Sequence, residues 1–283
     1  MEPDLTHRLS HKRNIQGIFF TLITWLLAAI GSIPLFSIVF MLITNGSTRL
    51  DLEGLTSLPP TAFETGGGFG NAIVGTFLMV GIAAAISIPI GVLTAIYFVI
   101  VGPQNQITNI SRFTAKVLTG FPSILAGVFV YTLLVINFGY SALAGGISLV
   151  IIMLPIVILT AEEAMKQVPQ STIDAAYGMG CTQTQVVLKV VLPMGLPGIL
   201  TGVILAVARS AGESAPLLLT ALFSNYYFSQ VMEPTASLSI LIYNFSSVPF
   251  ENQTNLAWTA SLVLVFITLT FNILARLIKR SSP

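Results

Sequence analysis

Two oppositely charged side chains lie four residues apart inside a long apolar stretch of this sequence. Arg209 and Glu213 are the charged residues of the run from Leu196 to Phe223. On one helix this spacing places both side chains on the same face. An Arg facing lipid at a helix centre costs about 2.5 to 3.5 kcal/mol on the milder insertion scales, so we expect both groups to face the protein interior. The pair is either a structural ion pair that fixes helix packing or part of the lining of a solute path.

The second interpretation has a specific chemistry. The Arg209 guanidinium is a planar fork of N–H donors that matches a tetrahedral oxyanion, and it stays charged at any cellular pH. Glu213 would orient the guanidinium and keep it from holding the anion too tightly, because a pore residue that traps its solute blocks transport.

A polar loop from Glu162 to Pro193 is the second candidate site. Ser171 with Asp174 predicts a capping box at the start of a short helix, and Gly180 predicts its end, since a glycine readily adopts the left-handed conformation. This helix has a face of small residues onto which another protein could press closely, formed by Ala175, Ala176 and Gly178.

A second short helix follows in the same loop. Thr182 with Gln185 predicts another capping box, and the helix is expected to run to Leu192 and stop at Pro193. The loop is either a coupling element for a partner protein or a capped hairpin that ties two membrane helices together.

The loop resembles a motif of permease subunits in bacterial ABC importers. Asp174-Ala175-Ala176, Gly180 and Val190-Val191-Leu192-Pro193 are similar to the E-A-A, G and I-x-L-P positions of that family, with Asp for Glu and Val for Ile. The resemblance implies that the first loop helix docks into a groove of a cytoplasmic ATPase. The residues it assigns to this coupling are Ser171, Asp174, Ala175, Ala176, Gly178, Gly180, Leu192 and Pro193.

The run that contains Arg209 and Glu213 resembles one particular type of ABC permease. Ala208 to Leu218 reads A-R-S-A-G-E-S-A-P-L-L and is similar to the R-A-x-G-E-T-A-P-L-L signature of phosphate importer permeases of the PstA type. Ser210 and Ser214 replace Ala and Thr, and Ser214 keeps the hydroxyl. The resemblance implies a solute path for phosphate lined by Arg209, Glu213 and Ser214.

The same resemblance implies partners. These are a homologous second permease (PstC type) that forms a heterodimeric pore, a dimeric cytoplasmic ATPase (PstB type) and a periplasmic phosphate-binding protein (PstS type). ATP and Mg belong to the ATPase, and no cofactor or metal is expected on this chain. The sequence contains no Gly-Lys pair, which excludes the G-x-x-x-x-G-K-[ST] phosphate loop.

Composition predicts a membrane protein around these sites. Charged residues make up 8% of the chain and hydrophobic residues 54%, and the mean hydropathy is +0.88. So little charge cannot cover a water-exposed surface. Six runs approach the roughly 20 residues that span a bilayer. They are Ile15 to Ile43, Ala72 to Val101, Val117 to Ile136, Leu143 to Leu159, Leu196 to Phe223, and Leu256 to Ile278.

Basic residues predict the orientation. With the N-terminus inside, the outer loops hold only Arg49. The inner side then holds Arg8, Lys12, Arg13, Arg112, Lys116, Lys166, Lys189, Arg276, Lys279 and Arg280. We expect both termini to be cytoplasmic in a bacterial inner (plasma) membrane, with a basic tail over residues 1–14 and a transmembrane domain over residues 15–283 that includes the loop 162–193.

These expectations combine into one hypothesis. The chain is predicted to be an all-α membrane protein of six transmembrane helices with the type I ABC importer permease (MetI-like) fold, a transport subunit and not an enzyme, in contact with lipid and not with nucleic acid. Two alternatives stay open. One is an ABC permease for another oxyanion, such as molybdate or sulfate, or for an organic solute. The other is an ion-coupled carrier or channel in which Arg209 and Glu213 relay charge.

Overall fold

The computed structural model describes residues 12–102 and 105–280, so the predicted tail over residues 1–14 lies largely outside the described residues. All regular elements in this part of the chain are helices. They are α1 (Lys12–Gly46), α2 (Leu52–Thr56), α3 (Gly70–Ile96), α4 (Gln106–Thr119), α5 (Ser123–Val130), α6 (Ile136–Phe138), α7 (Ala142–Lys166), α8 (Gln170–Gly178), α9 (Gln183–Val186), α10 (Leu192–Ala211), α11 (Ala215–Thr220), α12 (Leu238–Ser246) and α13 (Glu251–Arg280).

Three stretches of wider π-helical turns continue directly from the helix before them, and the last two also join that helix to the next one. They are Tyr97–Val101 after α3, Tyr131–Val135 between α5 and α6, and Val187–Val191 between α9 and α10. Five continuous helices within the described residues are long and apolar enough to cross a membrane, and a bent pair gives up to six. The five are Gln16–Gly46, Gly70–Val101, Ala142–Lys166, Gln183–Ala211 and Glu251–Leu277. The predicted all-α membrane architecture is therefore confirmed.

The third predicted span, Val117 to Ile136, is wrong at its start. Val117 belongs to α4, and the chain turns by 107° before the apolar helix Ser123–Phe138 begins. The turn contains Gly120 and Pro122, and the proline ring clashes with a helical carbonyl four residues earlier, so α4 cannot continue through it. The span therefore adjoins a separate amphipathic helix.

Two further spans differ from their predicted bounds. The fourth, predicted over Leu143 to Leu159, extends to Lys166 as α7. The fifth, predicted over Leu196 to Phe223, begins earlier, because the helix from Gln183 runs through Pro193 without stopping. In the π turn before Pro193 the Leu192 N–H donates to the Val187 carbonyl, and this wider turn accommodates a ring that a regular α-helix would not.

Helix α7 forms the centre of the molecule. More than half of its most apolar window is buried (56%), against 6% for α1. Leu149, Met153 and Val157 on α7 are fully buried in the largest hydrophobic cluster, which also takes side chains from α3 and α10. Close approach depends on glycines: a Cβ on Gly202 of α10 would lie 2.5 Å from the Thr160 Cβ of α7.

The two ends of the bundle differ. One end, here called the loop end, carries α4, α8 and α9. The other end carries α2, α12 and the segment between Ser57 and Phe69. At that end Arg49 donates to the Asn252 side chain (2.7 Å) and to the Gly67 carbonyl (2.9 Å), and Asn252 donates to the Glu64 and Gly66 carbonyls (both 3.0 Å). These bonds hold the segment against the start of α13.

Candidate functional site

The predicted solute-path residues cluster at a break in the fifth membrane helix. Arg209 lies in the last turn of α10, Glu213 follows the C-cap Gly212, and Ser214 precedes α11. The expectation that Arg209 and Glu213 share a helix face near its middle is wrong. Pro216 causes the break, because its ring would clash with the Gly212 carbonyl in a continuous helix. The break lies roughly 30 Å along α10 from Leu192, at 1.5 Å per residue.

The break leaves the two charges only loosely paired. The Arg209 Nε and Glu213 Oε1 atoms are 3.9 Å apart, which is beyond hydrogen-bonding distance. The Arg209 side chain is 56% exposed in this single chain, whereas that of Glu213 is 19% exposed. The guanidinium therefore keeps donors available for another group, in a part of the chain where charge facing lipid is costly.

Neighbouring helices fix the backbone of the break. The Ser239 hydroxyl of α12 donates to the Glu213 carbonyl at 2.9 Å. The Ser210 side chain is fully buried, and its hydroxyl has no hydrogen-bond partner among the described residues. Ser214 makes no side-chain cap for α11, although its carbonyl accepts the Leu218 N–H. Arg209, Glu213 and Ser214 thus lie together at a break whose backbone is held by neighbouring helices.

The loop Glu162 to Pro193 contains the predicted helical hairpin, with different ends. Helix α8 begins directly after Pro169, so Ser171 lies inside the helix and the predicted Ser171–Asp174 capping box is wrong. The Asp174 carboxylate instead accepts from the Gln170 side chain at 2.9 Å. Proline fixes its own φ and suits the position just before or at a helix start, which is why the helix begins there.

The glycine and the second capping box follow the prediction. Helix α8 ends at Gly178, and Gly180 beyond it has a φ of +85°, in the left-handed region that favours glycine. The Thr182 side chain accepts from the Gln185 N–H while the Gln185 side chain accepts from the Thr182 N–H, which confirms the capping box. The predicted stop at Pro193 is wrong, as described above.

The exposed face of α8 differs from the expected one by one residue. Ser171, Asp174, Ala175 and Gly178 are exposed, but Ala176 is buried against the chain's own core. Two large side chains that the sequence analysis missed extend this surface: Tyr177 is 42% exposed and Met179 is 79% exposed. The sequence signal for this larger surface is Met179, which stands next to the predicted C-cap glycine Gly180. Leu192 packs partly into the core and Pro193 is exposed, and both lie on α10, outside the exposed face of α8.

A buried charge cluster lies next to this loop. From the sequence, Arg112 and Lys166 served only to predict the orientation, and Glu162 only marked the start of the loop. The Glu162 carboxylate on α7 is 2% exposed, and one of its oxygens accepts from the Arg112 Nε at 2.7 Å and from the Lys166 Nζ at 2.9 Å. The Arg112 guanidinium also lies over the Phe98 ring, 5.4 Å from its centroid. The cluster thus joins α4, α7 and the π turn after α3.

The charge cluster borders a cavity that opens beside α8. The cavity has a volume of about 430 Å³ and is lined by Phe98, Val99, Arg112, Met165, Lys166, Val168, Gln170 and Ile173. Gln170 and Ile173 belong to the first turn of α8. A displacement of α8 is therefore transmitted to the end of α7, where Glu162 binds Arg112 of α4.

Comparison with known proteins gives the family context of this geometry. Residues 87–282 match the family described as binding-protein-dependent transport system inner membrane component. The phosphate transport system permease protein PstA of Yersinia pestis is 38% identical over 242 residues, 85% of this chain and 82% of the relative. PstA of Haemophilus influenzae is 36% identical over 95% of this chain and 94% of its own length. A probable PstA of Methanocaldococcus jannaschii is 36% identical over 92% and 93%.

Solved structures with the same fold belong to ABC transporters. An inward-facing structure of the MetNI methionine ABC transporter matches 76% of this chain and 94% of its own chain, with a TM-score of 0.56 and 21% identity. An amino acid ABC transporter matches 75% and 92%, with a TM-score of 0.51 and 17% identity. At these identities the likeness concerns the fold alone, and it confirms the predicted permease fold.

Proposed function

Because the chain belongs to the family of inner membrane components of binding-protein-dependent transport systems, we propose that it is the transmembrane permease subunit of an ATP-driven phosphate importer. The relatives named as phosphate transport permeases cover most of the chain at 36% to 38% identity. The chain is a transport subunit, so no bond of the solute changes. ATP and Mg bind to a separate ATPase, which hydrolyses the ATP, and the chain itself carries no cofactor.

The exposure of Arg209 supports a path shared with a second subunit. A guanidinium that is 56% exposed on one chain, within a membrane-spanning region, must meet water or protein instead of lipid. A homologous second permease across this surface would enclose it in a water-filled path. Phosphate then displaces the 3.9 Å contact to Glu213 and binds the free donors of Arg209, while Ser214 offers a hydroxyl close by.

The exposed face of α8 supports a second role, the docking of the ATPase. Asp174, Ala175 and Gly178 form a surface with little side-chain bulk, and Met179 projects at its end. In this arrangement α8 enters a groove of the cytoplasmic ATPase dimer, and the loop end faces the cytoplasm of a bacterial inner membrane. A periplasmic phosphate-binding protein delivers phosphate at the other end.

Arg209→Gln tests the solute path. The variant should assemble with the ATPase as the unchanged protein does, yet lose ATP-driven uptake of labelled phosphate by at least about tenfold, since one charge-assisted contact contributes on the order of 1.5 to 3 kcal/mol. Arg276→Gln, at an exposed position on α13, is the matched control and should keep uptake. Normal phosphate uptake by Arg209→Gln would leave Arg209 and Glu213 as a structural pair.

Competing solutes and the docking face are tested separately. In cells that depend on this subunit, labelled phosphate should be taken up and sulfate should not, and equal uptake of sulfate would contradict the choice of solute.

Ala175→Glu on α8 should abolish co-purification of the ATPase, whereas Ala62→Glu at the opposite end should not. Transport that persists without the ATPase would instead favour an ion-coupled carrier.

A further inference from the structure

Helix α4 has a free apolar face and a fixed direction relative to the membrane. It turns by 107° from the apolar helix Ser123–Phe138, so it runs nearly perpendicular to a segment that enters the bilayer. A helix in that direction lies along the membrane surface and does not cross it. Its fourteen residues are strongly divided between apolar and polar sides.

The buried side of α4 faces the chain's own core. Thr108 is fully buried and its hydroxyl donates to the Gly102 carbonyl at 2.6 Å. Ala115 is 4% exposed, and Arg112 on the same side reaches Glu162 of α7. At 100° per residue these three positions fall within one arc of the helix, so a single side holds α4 to the rest of the protein.

A different side carries exposed apolar residues at helical spacing. Ile107 is 61% exposed, Ile110 59%, Phe113 68% and Val117 52%. Their spacing of three and four residues places them on one stripe. The exposed ring of Phe121 continues the stripe into the turn before α5, where the chain enters the bilayer.

The third side is polar and basic. Asn109 and Lys116 are exposed there, and α4 contains no Asp or Glu. A helix with an apolar stripe, a basic polar side and its axis in the membrane plane matches the physical requirements of the interface between acyl chains and headgroups. Phospholipid, with its negatively charged phosphate groups, therefore fits both the stripe and the charge.

We propose that α4 is an in-plane membrane anchor whose stripe of Ile107, Ile110, Phe113 and Val117 is immersed in phospholipid. Lys116 and Asn109 then face the headgroups and water. Through Arg112 and Glu162 the anchor holds the end of α7 at a fixed depth, next to α8. The proposal rests on the membrane location of the chain and is independent of which solute is carried.

Site-directed spin labelling of the assembled transporter in phospholipid vesicles tests this anchor. Cys181 is the single cysteine of the chain, so Cys181→Ser with partner subunits free of cysteine gives a clean background. Single changes Ile110→Cys, Phe113→Cys and Val117→Cys place labels on the stripe, and Asn109→Cys and Lys116→Cys are the matched controls. Collision rates are measured with oxygen, which concentrates in lipid, and with a water-soluble nickel chelate.

Labels on the stripe should collide several-fold more with oxygen than with nickel, and the control labels should show the reverse. Immobile stripe labels shielded from both reagents would mean that a protein covers the face, and stripe labels open to nickel would mean that water does. Either result overturns the anchor. Phosphate uptake by the same variants is measured in parallel, so that failure of the proposed transport function is seen separately.

Discussion

Gly127 of α5 and Pro216 of α11 are in direct backbone contact. A Cβ on Gly127 would lie 2.7 Å from the Pro216 Cα and 3.1 Å from its carbonyl oxygen. Pro216 is the residue whose ring breaks the helix after Arg209 and Glu213. The contact therefore sets the position of the break from the side of α5, and only a glycine allows it.

Gly127→Ala should disturb this contact. The added methyl group must push backbone atoms apart, because the two atoms nearest to it belong to the Pro216 backbone, and such overpacking costs on the order of 1 to 3 kcal/mol. We expect a lower midpoint of thermal unfolding for the purified transporter and slower phosphate uptake. Gly81→Ala on α3 is the matched control, since no atom of the described residues lies within 4 Å of its Cβ position. Equal behaviour of the two variants would contradict the constraint.

Gly180→Ala should loosen the α8 loop. The position has open space around it but a φ of +85°, which costs an L-residue roughly 1 to 2 kcal/mol. Hydrogen exchange of the Cys181 N–H, which donates to the Ala176 carbonyl at 3.1 Å, should accelerate about tenfold. Gly178→Ala also has open space but lies within α8, so there we expect unchanged or slower exchange. Similar rates in both variants would rule out the conformational cause.

Arg112→Ala should destabilise the loop end. Glu162 would keep only Lys166 as a partner while staying buried. Removing one partner of a buried ion pair costs about 3 to 5 kcal/mol, and the remaining contact with Lys166 places the expected loss at the lower end of that range. Lys116→Ala on the same helix should change stability by no more than about 0.5 kcal/mol. Thermal unfolding of the purified transporter checks both. The double variant Arg112→Met, Glu162→Met should recover part of the loss, and a further loss would show that the pair itself stabilises the fold.

Glu64 should make the segment between Ser57 and Phe69 sensitive to acid. Its Oε2 atom accepts the Thr61 N–H at 2.7 Å, and this backbone hydrogen bond, with one from the Thr61 side chain, lowers the pKa of Glu64 below its ordinary value of 4.5. A lowered pKa contributes stability to the segment above the ordinary value, which is lost as the pH falls through the lowered pKa.

Mobility of a probe in this segment measures the effect. A label introduced by Ala62→Cys, in a Cys181→Ser background, should gain mobility as the pH falls through the lowered pKa of Glu64. In the Glu64→Ala variant the mobility of the label should no longer depend on pH in this range. A label whose mobility is independent of pH in both proteins would show that the Glu64 bond does not hold the segment.

Apolar length predicted the membrane helices, but the breaks within them needed tertiary information. Pro34, Pro89 and Pro155 lie inside continuous helices, whereas Pro122 and Pro216 lie at breaks. Each breaking proline has a glycine two or four residues before it, Gly120 and Gly212. In each case the helix that follows is packed against others. Hydrophobicity alone does not distinguish these two classes of proline.

The candidate residues were found, but their partners were not. Arg209 and Glu213 were chosen because they are charged residues in an apolar run, and Ser214 because of the family resemblance. The break between Arg209 and Glu213 depends on Pro216 and its contact with Gly127. Likewise, the sequence does not reveal the charge cluster. Arg112 is far from Glu162 in the sequence, and Lys166 resembles an ordinary surface charge. Only the crossing of α4 over α7 brings Arg112 to Glu162. A capping pattern at Ser171 failed because Pro169, two residues earlier, already starts the helix.

The contact between the first and last membrane helices has a consequence for biosynthesis. A Cβ on Gly46 of α1 would lie 2.8 Å from the Leu262 Cβ of α13, so α1 meets this neighbour only after the ribosome has made all the membrane helices between them. Until then α1 spans the bilayer without this neighbour, and its mean hydropathy of 2.5 favours such exposure to lipid. Its nearly unbroken apolar surface is thus suited to an early, solitary insertion.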